Sequence, residues 1–290
     1  MKRWFAGLGG LALTVGVAAC GGQAGPAPAP IATPLLTPTL SSAAASASTS
    51  TSAPSGRSTS ASNGVLGPYA YPQITNTNGY NTYVGNNMWA AGGSGMTQTL
   101  TAVNPGEWYV MAKAPAGNTG VLSYPNTQQL FNNWNGSGWN GSGTQTDTPI
   151  GRLRQLTSTF AENLNANSRT DAEAAYDIWL SGTSGPREIM IWIDNANRGT
   201  GGATQIGTGT VGGQKWTLLR YGGEAIWSLS ANEHSGTVDI LTLLHQLQSR
   251  GLASSGAAIS QIDFGFEICS TGGVPETFSV SHYSLTAQAG

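Results

Sequence analysis

The chain has 290 residues with 12 basic and 14 acidic side chains, a formal net charge of −2, and only 9% of its residues are charged. No run of Lys and Arg forms a basic patch, which argues against nucleic acid or another polyanion as partner. Three scattered histidines and two cysteines offer no metal-ligand spacing, and the glycine-rich pieces, such as "NRGTGGATQIGTG", match no phosphate loop, so neither a metal nor an organic cofactor is expected.

The first element is an address. Lys2 and Arg3 precede an apolar run over residues 4–19, the charged start and short apolar middle of an export signal, too short for a membrane span. The run ends in "VAAC", which resembles a bacterial lipobox, so residues 1–20 are expected to direct export and Cys20 to carry lipid. That places the protein outside the cell or on its surface, touching a membrane only through the anchor. Residues 21–63 are Ala, Pro, Ser and Thr with Arg57 as their one charge, a composition that cannot bury enough apolar surface to fold. They read as a disordered linker with an end-to-end distance of about 35 Å.

Residues 64–290 form the expected folded domain, large enough for one core. All 14 acids lie here against nine bases, which gives the domain a formal charge of −5. With Cys20 lipidated, Cys269 has no disulfide partner and stability must come from packing. A monomer is expected.

Period-2 runs dominate the domain: "EWYVMAKA", "AYDIWL", "EIMIWI", "KWTLLRY", "AIWSLSA", "IDFGFEI" and "TFSVSHYSL". They predict an all-β protein, a β-jelly-roll sandwich of two antiparallel sheets with a concave cleft. The stretch "SGTVDILTLLHQLQSRG" alone has helical spacing, through Ile240, Leu243, Leu244 and Leu247, with Thr237 as N-cap and Gly251 as C-cap. His245 on this helix reads as a surface residue. The tandem loop "WNGSGWNGSG" is either a surface loop or a stacking platform that offers Trp134 or Trp139 to a ligand.

Alternation assigns faces within the strands. In "REIMIWID", Ile189, Ile191 and Ile193 share a core face, and Glu188, Met190, Trp192 and Asp194 share the reverse. In "IDFGFEIC", Phe264, Phe266 and Ile268 point inward, with Asp263, Gly265, Glu267 and Cys269 opposite. In "AYDIWL", Asp177 and Trp179 lie behind Tyr176, Ile178 and Leu180. An acid on an outer strand face is ordinarily just solvated. Two glutamates and an aspartate beside tryptophans, without any competing nucleophile or cofactor motif, match the needs of glycoside hydrolysis, in which two carboxylates flank the scissile bond. Neighbouring strands would hold them at the required range. Alternation does not say which Glu attacks.

At these residues the chain also resembles glycoside hydrolase family 12, the compact β-jelly-roll endoglucanases. The likeness runs from about Asn86 to Leu285, through "NNMW", "GVLSYP", "AYDIWL", "EIMIWI", "GGQKW" and "FGFEICSTGG" in the family's order. The resemblance implies Glu188 as nucleophile, Glu267 as general acid/base and Asp177 as the acid that hydrogen-bonds and orients the nucleophile. It further implies that Asn87 and Trp89 hold sugars on the non-reducing side, and that Met190 and Trp192 form the cleft floor. Ile268 and Cys269 stand where many relatives carry a proline after the acid/base, on the leaving-group side.

The activity implied is a retaining endo-β-1,4-glucanase with β-glucan as substrate. Alternatives are a xyloglucan or mixed-linkage β-glucan hydrolase and a noncatalytic carbohydrate-binding jelly roll.

Overall fold

A computed structural model describes residues 56–69, 82–131 and 147–290. Cys20, Trp134 and Trp139 lie outside the described residues. Sixteen strands and one α-helix follow in chain order: β1 (Arg57–Thr59), β2 (Val65–Tyr69), β3 (Thr82–Gly85), β4 (Thr97–Asn104), β5 (Glu107–Lys113), β6 (Asn126–Leu130), β7 (Thr148–Pro149), β8 (Leu153–Asn163), β9 (Thr170–Ser181), β10 (Glu188–Ala196), β11 (Thr204–Val211), β12 (Gln214–Tyr221), β13 (Glu224–Leu229), β14 (Ser235–Asp239), α1 (Ile240–Ser249), β15 (Ala258–Thr271) and β16 (Glu276–Ala289). They make a six-stranded sheet, β1-β4-β5-β16-β8-β14, and a ten-stranded one, β11-β12-β13-β10-β9-β15-β6-β3-β2 with β7 beside β15. This is the all-β jelly roll expected, with one helix.

Between the sheets lies an aromatic core. Phe264 stacks on Tyr283, ring centroids 5.0 Å apart, and Tyr176 packs on Phe264 at 4.7 Å. Trp108 meets Phe266 edge-on at 5.6 Å while its Nε1–H donates to Thr127 Oγ1 at 2.9 Å, so the buried indole keeps a polar partner. Truncating any one of these rings would cost about 3–5 kcal/mol. Where alternation is unbroken, as in β5, it reads straight through: Trp108, Val110 and Ala112 are buried, and Glu107, Tyr109, Met111 and Lys113 are exposed.

Three expectations change. The linker does not extend to residue 63, because Arg57–Thr59 is the edge strand β1, paired with β4. Its Ser and Thr composition suggested coil, but hydroxyl pairs fasten it: Ser58 to Thr101 and Ser60 to Thr99, both at 2.7 Å. The helix begins later than expected. Thr237 lies in β14 opposite Thr159, and Asp239 is the N-cap, its carboxylate accepting from the Thr242 N–H at 3.0 Å. At the other end Arg250 caps and Gly251 follows in the left-handed region at φ 70°. Finally, the ten-stranded sheet is not wholly antiparallel. After β10 the chain crosses to the far edge and returns through β11 and β12, so β13 arrives parallel to β10. That return sets Glu224 directly beside Glu188.

Candidate active site

The outer face of the ten-stranded sheet carries the acids. On β9 it shows Glu173, Ala175, Asp177 and Trp179, and on β10 Glu188, Met190 and Trp192, with Glu188 opposite Trp179 and Met190 opposite Asp177. On β15 Asp263 faces Asp177, and Glu267 faces Glu173. Three of the sequence-predicted acids, Asp177, Glu188 and Glu267, therefore share one surface. Glu188 and Glu267 are not on neighbouring strands, however, since β9 lies between theirs. Their rows on β9 are six residues apart, at Trp179 and Glu173, which in a flat ladder is roughly 20 Å. Yet burial first, and then the charges of Glu224 and Glu267, push the Glu188 carboxyl up to about 8. For Glu267 to act on Glu188 the sheet must curl toward this face, making it the concave side of a cleft.

The same crowding acts on the neighbours. Burial and the Glu267 charge lift Glu224 to about 7, against a lowering pull from Arg198. Asp177 is raised well above the ordinary carboxylate range, by burial and then by Glu188, Asp263, Glu267 and Glu224. Its Oδ1 has no hydrogen-bond partner, and no bond to Glu188 links the pair in the free cleft. Burial lifts Asp263 to about 8, although Gln261 Nε2 donates to both its oxygens at 2.8 and 2.6 Å. So many carboxyls close together cannot all ionise; the free cleft holds protons at neutral pH.

Four participants escaped the sequence reading. Glu224 directly follows two glycines, which signal a turn and not a site. Glu173, fully buried, sits among alanines in "DAEAAYD". Tyr124, in "GVLSYP", is buried among the acids and donates its hydroxyl to the Ala175 carbonyl at 3.0 Å. Arg198 comes from the glycine-rich loop after β10, where only its charge set it apart. Its guanidinium pairs with Glu173 at 2.5 Å, Asp171 at 3.6 Å and Glu267 at 3.8 Å. The Nε–H does not point at the Glu173 oxygen, so that contact is an ion pair without a good hydrogen bond. Nη1 also donates to Cys269 Sγ at 2.7 Å, and burial keeps that group a thiol. Cys269 thus lines the acid face, as alternation placed it.

Met190 and Trp192 do form a floor, but a covered one. They are 3% and 2% exposed, in a small cluster with Ala175, Ala203, Leu219 and Ile226. Arg198 lies 5.8 Å from the Trp192 ring centroid, and a Cβ at Gly201 would come within 2.9 Å of that ring. The loop after β10 therefore roofs Trp192, and the ring offers no open stacking surface here. Asn87 takes a left-handed φ of 38°, and its carbonyl accepts from the Tyr124 N–H at 2.9 Å, which fixes the "NNMW" segment next to the acid face. Trp89 in the same segment is 48% exposed, in contrast to the covered Trp192.

Asp194 does not join them. Trp192 pairs with Ala175, but Asp194 pairs with Ala174, so Ile193 is the extra residue of a β-bulge. The bulge turns Asp194 to the inward side, where it meets Glu162 and His234.

The family model of Glycosyl hydrolase family 12 matches residues 80–288. The chain belongs to this family. Similar solved structures include members of family 12. A family 12 xyloglucanase from Bacillus licheniformis is 24% identical, covers 80% of this chain and 100% of its own, and superposes with a TM-score of 0.62. The xyloglucanase domain of NopAA from Sinorhizobium fredii, in complex with cellobiose, is 22% identical over 80% of this chain and 99% of its own, TM-score 0.61. Endoglucanase cel12A from Rhodothermus marinus is 19% identical over the same shares, TM-score 0.62. The protein is a family 12 glycoside hydrolase whose larger sheet carries Asp177, Glu188, Glu224 and Glu267 on its outer face.

Proposed function

We propose that the protein is an endo-acting β-1,4-glucanase that cuts with net retention, Glu188 attacking the anomeric carbon and Glu267 protonating the departing oxygen and then activating water. The observation that carries this reading is the placement of Glu188, Asp177 and Glu267 on one outer face of the larger sheet, on the three adjacent strands β10, β9 and β15. Two carboxyls about 5–5.5 Å apart suffice for double displacement, one as nucleophile and one as acid, and both are only partly exposed. Attack requires ionised Glu188. Its elevated pKa therefore sets the acid limb of the free enzyme's pH profile, and Asp177, once protonated, is placed one diagonal step away to donate to it. Trp89 and Asn87 would hold sugar at the β3–β6 side of the cleft. The export signal of residues 1–20 and the lipid at Cys20 belong to the same reading, supported by Lys2, Arg3 and the "VAAC" ending; they would put the enzyme where polysaccharide is.

The test is reducing-end release and product size on carboxymethylcellulose, barley β-glucan and xyloglucan, for the full chain beside Glu188→Gln and Glu267→Gln. Short oligomers from the unbranched glucans, with each variant slower by about 100- to 10,000-fold, support the proposal. Cleavage of xyloglucan alone, the activity named for two of the similar structures, would move the specificity to the branched chain. Binding without cleavage by all three proteins would refute the enzymatic reading.

A further inference from the structure

Away from the cleft, three side chains from three segments converge. Glu162 ends β8 in the six-stranded sheet, Asp194 follows the bulge in β10 of the ten-stranded sheet, and His234 lies just before β14. One ligand atom from each lies within 4.8 Å of the others. His234 Nδ1 is 3.1 Å from Glu162 Oε1 and 3.0 Å from Asp194 Oδ2. Glu162 has no accessible side-chain surface and Asp194 only 3%, so two carboxyl groups are shut in together. The second Glu162 oxygen, Oε2, is buried with no hydrogen-bond partner. A buried oxygen without a partner is costly.

We propose that Glu162, Asp194 and His234 bind a divalent transition cation of the Zn²⁺ type. One nitrogen and two carboxylate oxygens are the donors such an ion takes, and bonds of about 2.0–2.1 Å at tetrahedral angles set neighbouring donors roughly 3.3 Å apart. The two separations from His234 need only a few tenths of an ångström of adjustment. Backbone hydrogen bonds already lock the three segments: Glu162 N–H to the His234 carbonyl at 2.8 Å, and Glu233 N–H to the Ile193 carbonyl at 3.0 Å. Glu233 itself is engaged by Gln214 and is no ligand. The His234 side chain is 69% exposed, which opens the site to solvent and leaves a coordination position for water. Bound there, the ion would clamp the two sheets and the segment before β14 together, a structural role independent of hydrolysis. Residues 162, 194 and 234 are too far apart in sequence for any spacing rule to have found them.

The full chain, stripped with EDTA and dialysed, would be titrated with ZnCl₂, MnCl₂ and CaCl₂ by calorimetry and thermal unfolding. One equivalent of Zn²⁺ with a rise in Tm of several degrees over the metal-free protein is expected, and His234→Ala, compared with its own metal-free Tm, should lose both the uptake and the rise. Asp194→Asn should weaken binding at least tenfold. No Zn²⁺ uptake by the folded wild type, binding of Ca²⁺ alone, or equal uptake by His234→Ala would overturn the proposal. None of these outcomes depends on glucan cleavage.

Discussion

Replacing Glu224 by Gln isolates one charge of the cleft. Glu224 is the direct parallel neighbour of Glu188 and, after burial, the largest cause of its raised pKa. Glu224 titrates at about 7, so it is already ionised where Glu188, at about 8, loses its proton. Two unit charges about 6 Å apart at an effective dielectric of about 20–40 interact by roughly 1.4–2.8 kcal/mol, and 1.36 kcal/mol corresponds to one pK unit. The like charge disfavours the Glu188 carboxylate; removing it lowers that pKa, and the acid limb of kcat/KM moves to lower pH by about one unit or more. Below about pH 7 the wild-type Glu224 is itself protonated and neutral, so the gap opens only between the two titrations: Glu224→Gln should be up to a few-fold faster than wild type near pH 7.5, and equal to it near pH 5.5 and on the plateau. The assay is kcat/KM on barley β-glucan from pH 4.5 to 9.5 at constant ionic strength. An unmoved acid limb in a folded variant, or one displaced upward, would show that Glu224 does not set the ionisation of Glu188.

Arg198→Met should destabilise the domain by about 3–5 kcal/mol at pH 8, because it strands the fully buried Glu173 without its cation. The loss should shrink at pH 5, where Glu173, whose pKa burial already raises, takes a proton instead; urea unfolding at the two pH values checks both. Gly265→Ala would set a methyl 2.0 Å from the Pro125 carbonyl oxygen and 2.7 Å from the Asn126 Cα, prising β15 from β6. A cost of about 1–3 kcal/mol in urea unfolding is expected, against almost none for Gly120→Ala, where the added atom meets nothing within 4 Å.

Much of this architecture was legible in the residues. Alternation placed Ile189, Ile191, Phe264, Phe266 and Tyr176 in the core and set Asp177, Glu188 and Glu267 on one outer face, because strand periodicity is a local rule. The rest depends on long-range topology. Glu224 meets Glu188 only through the crossover to the far edge, and Arg198 reaches the acids only because its loop folds back over Trp192. Local chemistry also misled: Thr237 has a capping side chain, but β14 claims it for pairing with Thr159, and the Ser and Thr around Arg57 look like coil until β4 is alongside. Asp194 was misplaced for a single reason, the extra residue at Ile193.

That extra residue gives one strand two addresses. Before Ile193, β10 presents its polar side chains to the cleft, and immediately after it, to the sandwich interior. Length here matters more than identity. A residue of similar size and apolarity at position 193 keeps the bulge, whereas shortening the strand by one would rotate Asp194, Asn195 and Ala196 half a turn together, drawing a carboxylate into the cleft and driving an amide into the interior. Between Trp192 and Asp194, β10 should thus tolerate almost no change in count, because one residue fewer re-aims every side chain after it.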